Sequence, residues 1–152
     1  MGSKLENILI LGIGGVGMHL ARRLVHEGAS VTVIETDPKL VQEAAETMDA
    51  RVLKGNSMSL SSWRAAEAES MELMIAATND DATNMLSALI ADRFGIERKI
   101  ARVRSLDFEP GSVLPPEELK IDLMFHPEEL LAKEIYRLVK SAACNDLIDI
   151  GN

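Results

Sequence analysis

The sequence predicts an α/β fold, a doubly wound and mostly parallel six-stranded sheet followed by a C-terminal crossover helix. Three observations carry this expectation. Short β-branched apolar runs alternate with stretches of helical periodicity, the pattern of successive βαβ units. A glycine-rich turn follows the first of those runs directly. The chain has 152 residues and is 47% hydrophobic, which suits one compact domain.

Ile8-Leu9-Ile10-Leu11 reads as a buried first strand, and Val16, Leu20 and Leu24 then recur at helical spacing until Gly28 stops the helix. Val31-Thr32-Val33-Ile34 is the second strand. Asp37-Pro38 supplies a cap and a first helical position, with Leu40, Val41, Ala44, Ala45 and Met48 as the expected buried stripe. Arg51–Lys54, charged at both ends, belongs at a sheet edge. A short helix from Leu60 to Ala68 precedes strand four at Leu73–Ala77. Asn79 or Asp80 caps the next helix, whose expected apolar face is Met85, Leu86, Leu89 and Ile90. Ile100–Val103 and Leu123–Phe125 complete the strands. The proline-rich Glu109–Glu118 between them reads as loop, and Pro127 opens a last helix carrying Leu130, Leu131, Ile135, Leu138 and Val139.

Bulk composition narrows the function. Sixteen Lys and Arg stand against 24 Asp and Glu, and a formal charge of −8 argues against nucleic acid, whose phosphates need a basic face. A lone Cys144 excludes an internal disulfide and fits a reducing compartment. Apolar runs fall well short of the ~20 residues of a membrane-spanning helix, and no secretory signal opens the chain, so the expectation is a cytoplasmic domain. Met1-Gly2-Ser3 reads as an expression scar.

The chemistry concentrates in Gly12-Ile13-Gly14-Gly15-Val16-Gly17, a G-x-G-x-x-G string between a strand and a helix. In the Rossmann arrangement Gly12 permits the turn, Gly14 admits a pyrophosphate close to the backbone, and Gly17 lets helix and strand approach. The N–H groups and dipole of the helix start favour the anion. Glu35, 18 residues after Gly17, ends the second strand, where a carboxylate can accept both ribose hydroxyls and repel a 2′-phosphate. Asp37 competes for that role, but its place before Pro38 is better explained as a cap. Other strand ends face the same crevice: Asn56 and Ser57 after strand three, Thr78 and Asn79 after strand four, and Arg104 after strand five.

Groups for catalysis are poorly placed. Tyr136 and Lys140 have the spacing of a phenol activated by an ammonium, yet lie on the last helix, where solvated surface is the better account. His19, His26 and His126 are scattered and form no metal-ligand spacing. The reading is of a binding domain and no enzyme.

The strings ILGIGGVG, VTVIETDP, VLKGNS, AATNDDATNM, IARVRSLDF and HPEELLAKEIYRLV together resemble the RCK or KTN (TrkA-N) regulatory domains of potassium-transport proteins, over nearly the whole chain. The resemblance implies an NAD(H)-binding subunit that gates a separate membrane potassium-transport subunit, forms homo-oligomers and sits at the inner face of the membrane. It allows ATP, ADP or AMP as ligands in some members. ATP-preferring relatives place an arginine where this chain has Gly15, which tilts the expectation toward NAD(H). Carried over, the contacts are Gly12 to Gly17, Glu35 with Thr36 beside it, Asn56, Ser57, Thr78, Asn79, Asn84 and Arg104. The implied organisation is a TrkA-N unit over 4–141 and a tail, 142–152, leading toward an absent C-terminal module. The implied mechanism is a relay in which nucleotide alters how helices beginning near Asp80 and Pro127 pack on neighbouring subunits. The alternative is the nucleotide half of a small NAD-dependent oxidoreductase.

Overall fold

Alternation along the strands divides the interior into two layers. In β1 (Asn7–Leu11), Ile8 and Ile10 enter one core while Leu9 and Leu11 enter the other, because successive strand residues point to opposite faces. All four are buried, as a strand covered on both sides requires. A computed structural model describes residues 7–149, with side chains described up to residue 143. Met1–Ser3, Cys144 beyond its backbone, and residues 150–152 of the expected tail lie outside that description.

The remaining strands are β2 (Ser30–Glu35), β3 (Arg51–Lys54), β4 (Leu73–Ala76), β5 (Arg98–Arg102) and β6 (Leu123–Phe125). They form one six-stranded sheet in the order β3-β2-β1-β4-β5-β6. Every pairing is parallel, so the sheet has no antiparallel strand. The strand succession reverses between β1 and β4, and a crevice opens there beyond the strands' carboxyl ends. In register, Leu11 stands beside Ile34 on one side and Ala76 on the other, which sets three strand ends level around that crevice.

Helices α1 (Gly15–His26) and α2 (Pro38–Thr47) cover one face. The short α3 (Leu60–Ala65) and α4 (Asp81–Arg93) cover the other. α3 stops short of the expected Ala68 because Glu67 turns left-handed at φ 55°, and Ala68–Ser70 continues as a 3-10 turn. Trp63 of α3 is fully enclosed and stacks on Phe94 at 5.7 Å between ring centroids. Its indole N–H donates to the Ser57 carbonyl at 2.8 Å, so its polar handle is satisfied.

Two apolar faces differ from expectation. On α2, Ala44 is buried, Leu40, Val41 and Met48 are half-buried, and Ala45 is exposed. On α4, the buried residues are Asn84, Ser87, Ala88 and Ala91. Met85, Leu89 and Ile90 flank them against the core, while Leu86 is exposed. Small side chains let α4 lie close on the sheet, so its axis is rotated away from the bulky residues that the pattern favoured. α5 (Pro127–Asp149) begins where expected and runs unbroken past residue 141. From Glu128 to Ala143 every side chain on it is exposed, including Leu130, Leu131, Ile135, Leu138 and Val139.

Candidate functional site at the strand ends

The three helices that begin around the crevice start in different ways. Asp37 caps α2 by accepting the Lys39 N–H at 2.8 Å. Asp80 caps α4 by accepting the Thr83 N–H at 2.8 Å and its hydroxyl at 2.5 Å. Those bonds, with help from the Arg104 charge, hold the Asp80 carboxyl below its ordinary range. The cap residue of α1 is Gly14, which has no side chain to offer. A helix leaves its first N–H groups without intrahelical partners, so the start of α1 presents donors to an incoming anion.

The glycines of the loop fall into two kinds. Gly12 adopts φ 82°, and a Cβ there would stand 2.9 Å from the Thr78 Cα. A Cβ on Gly17 would overlap the Gly12 carbonyl oxygen. Gly14 and Gly15, by contrast, would project a Cβ into open space. The first pair is fixed by packing and the second leaves the approach to the backbone clear.

Glu35 anchors the loop from β2. Its Oε2 accepts the Ile13 N–H at 2.7 Å, and its Oε1 accepts the Thr36 and Asp37 N–H groups at 2.9 and 3.0 Å. One carboxylate thus ties the glycine loop to the start of α2. Two oxygens carry about four lone-pair sites, so three backbone donors leave about one for a hydroxyl donor. Its neighbour Thr36 adds a longer hydroxyl contact to Oε1.

Around these groups lies a cleft of about 270 Å³. Of the residues expected at the site, Gly12, Gly14, Glu35, Thr36, Ser57, Thr78 and Asn79 line it. Ile13 is buried beneath the loop, and Gly15, Val16 and Gly17 form the first turn of α1. Three others stand elsewhere. Asn56 is exposed, and its Oδ1 accepts the Met58 N–H at 2.8 Å to close a turn. Asn84 is fully buried; its amide holds the Thr78 N–H at 3.0 Å, hydroxyl at 2.6 Å and carbonyl at 3.0 Å, and the Arg102 carbonyl at 2.8 Å. It ties the ends of β4 and β5 together from behind the cleft wall. Arg104 lies two residues beyond β5, exposed, with its guanidinium on the Asn79 carbonyl at 2.6 Å.

The cleft also uses residues outside the expected contact set. Ile34 and Leu40 give it an apolar side, and Asp37 adds a second carboxylate at the rim. Leu40 sits one turn into α2 after Glu35, a spacing that could have marked it. No lysine or arginine side chain lines the cleft among the described residues. Arg102, at the last position of β5, is buried and reaches Asn79 at 3.2 Å and Glu128 at 2.8 Å. A charged residue ending an apolar run was its only signal. Tyr136 is exposed on α5 and does not line the cleft. No described helix is long and apolar enough to cross a membrane.

The chain was compared with known proteins. It is 32% identical over 145 residues to a Trk system potassium uptake protein TrkA homolog from Methanothermobacter thermautotrophicus, covering 95% of this chain and 65% of that one. It is 34% identical over 135 residues to the Trk system potassium uptake protein TrkA of Haemophilus influenzae, covering 87% and 30%. The chain therefore spans about two thirds of the archaeal relative and under a third of the bacterial one. Among solved structures, the TrkA-N domain of the inner membrane protein ybaL from Escherichia coli superposes with a TM-score of 0.74 at 21% identity, over 90% of this chain and 98% of that one. The GsuK channel bound to NAD matches with a TM-score of 0.62 at 20% identity, over 80% and 21%. These structural likenesses establish the fold. The model of the TrkA-N domain matches residues 8–127, from the first strand to the start of α5, and the chain belongs to that family.

Proposed function

We propose that the cleft binds an adenine dinucleotide, NAD(H), and that this chain is the nucleotide-sensing domain of a potassium uptake system. The observation that carries the reading is the start of α1, which no side chain caps, beside a carboxylate at the end of β2. The bridging pyrophosphate would lie on the N–H groups of Gly14 to Gly17, and a ribose would meet Glu35. Glu35 and Asp37 at one end disfavour a 2′-phosphate, hence NAD(H) over NADP(H). The absence of basic side chains from the described lining favours a bridged diphosphate over a terminal triphosphate, which needs cationic partners. A channel of this fold binds NAD and a related GsuK structure holds ADP, so adenine mononucleotides are the natural competitors.

The relatives named for potassium uptake supply the biological context. In that context the domain, residues 4–141, works at the inner face of the membrane with a separate transport subunit and with further copies of itself. The exposed apolar stripe of α5 is the surface such copies would cover. No step in this reading transforms the nucleotide: NAD+ and NADH act by binding two conformations differently, since a ligand shifts an equilibrium only through differential affinity.

Isothermal titration with NADH, NAD+, NADPH, ATP, ADP and AMP tests the proposal. Saturable binding of NADH, tighter than NADPH, is expected. Absence of binding by every nucleotide overturns it.

A further inference from the structure

Arg102 joins two parts of the molecule that otherwise barely meet. Its side chain is only 10% exposed, and its Nε is enclosed without a partner. The charge therefore leans on two contacts. Nη1 donates to Asn79 Oδ1 at 3.2 Å, on the wall of the cleft. Nη2 donates to Glu128 Oε1 at 2.8 Å, in the first turn of α5. A buried guanidinium is tolerated only while its partners stay in place, so a change at one contact is felt at the other.

Both ends of this bridge are suited to transmission. Arg102 occupies the Oδ1 of Asn79, which leaves the amide Nδ2 as the donor that Asn79 can offer an acceptor in the cleft. Its carbonyl is meanwhile fixed by Asn84, so the strand end cannot drift to follow the side chain. On the other side, α5 exposes every side chain from Glu128 to Ala143, and little else seats it on the sheet. The Glu128 carboxyl is held below its ordinary range by its own backbone N–H and then by Arg102. Glu129, the next residue, pairs with Lys133 along the helix and does not touch Arg102.

We propose that Arg102 is a positioning residue that couples occupancy of the cleft to the seating of α5, through a clasp running from Asn79 to Glu128. The clasp rests on the reading of the cleft as a nucleotide site and specifies how that site is read out. With the clasp closed, Asn79 is pre-oriented toward ligand; ligand on Asn79 in turn keeps Arg102 turned toward Glu128. Coupling of this kind is reciprocal.

The test uses Glu128, whose own side chain is exposed, and the melting temperature of each variant separates a loss of coupling from a loss of fold. In Glu128→Ala the NADH dissociation constant should rise about fivefold, within the usual range for coupled sites. Glu128→Gln keeps the acceptor and should recover part of that loss. Glu129→Ala removes the same charge from the same turn and should stay within about twofold of the parent chain, the scale of surface effects. Hydrogen exchange supplies the second readout: NADH should protect the first-turn amides of α5 in the parent chain and not in Glu128→Ala. Unchanged affinity in Glu128→Ala, an equal loss in Glu129→Ala, or NADH-dependent protection that survives Glu128→Ala each overturns the clasp while leaving the nucleotide site standing. Failure of the parent chain to bind any nucleotide overturns both.

Discussion

The crevice at the end of β1 and the helix α5 were both expected to be functional, and they are built in opposite ways. In the crevice nearly every group has a fixed partner: Glu35 takes three backbone donors, Asn84 spends its amide on two strand ends, and Gly17 abuts the Gly12 carbonyl. What remains open there is narrow, the uncapped start of α1 and a cleft beside it. On α5 the reverse holds, with five large apolar residues more than half exposed and few contacts to the sheet. One region is finished by its own chain. The other has a surface that the described residues do not cover. The proposed sensing role would use both, a preorganised place for a ligand and a surface through which its effect is passed on.

The contrast is sharpest at the glycines. Gly17→Ala should destabilise the fold by about 3 kcal/mol in chemical denaturation, as overpacking against backbone typically does, and should abolish nucleotide binding with it. Gly14→Ala meets open space, so its stability should stay within about 0.5 kcal/mol of the parent chain. Its nucleotide affinity should nevertheless fall, because the added methyl stands where the pyrophosphate must approach. If both variants lose stability equally, the distinction between packing glycine and ligand glycine is wrong.

Glu35→Ala is expected to have the next largest effect. It strands the buried Ile13 N–H and frees those of the exposed Thr36 and Asp37 to water, and one buried donor without a partner costs on the order of 1–3 kcal/mol. The melting temperature should drop and NADH affinity should fall together. A variant that keeps its stability and loses only affinity would show that the carboxylate serves ligand alone.

The smallest effect on folding belongs to α5. Leu131→Ser or Ile135→Ser should leave unfolding free energy within about 0.5 kcal/mol, since both side chains are already solvated. Sedimentation velocity should show any association of the parent chain weakened. A large loss of stability would mean that α5 packs within the monomer after all.

Much of the crevice was legible in the sequence because it is local. The glycine spacing, the acid 18 residues later and the cap at Asp37 are all relations along one stretch of chain, and the strands flanking the crevice, β1, β2 and β4, each contain a short apolar run. The roles of Asn84, Arg102 and Arg104 were not legible, since they depend on which way a residue turns once β4 and β5 are in register. The α4 face shows the same limit: hydrophobicity picked Leu86, while close approach to the sheet buried Ser87 and Ala88. For α5, the sequence showed an apolar stripe but held no statement of what lies opposite it. Periodicity identifies a face and says nothing about its partner.

The central claim is that the cleft holds an adenine dinucleotide, and the chain's single tryptophan offers a direct view of it. Trp63 donates to the carbonyl of Ser57, which lines the cleft, so the indole stands directly behind the cleft wall and NADH bound there would be close enough to accept its excitation energy. Titration with NADH should quench Trp63 emission in a saturable way while sensitised NADH emission rises. Excess AMP should reverse both changes by displacing the adenosine half. A tryptophan signal that falls only linearly with NADH concentration and ignores AMP would contradict the account.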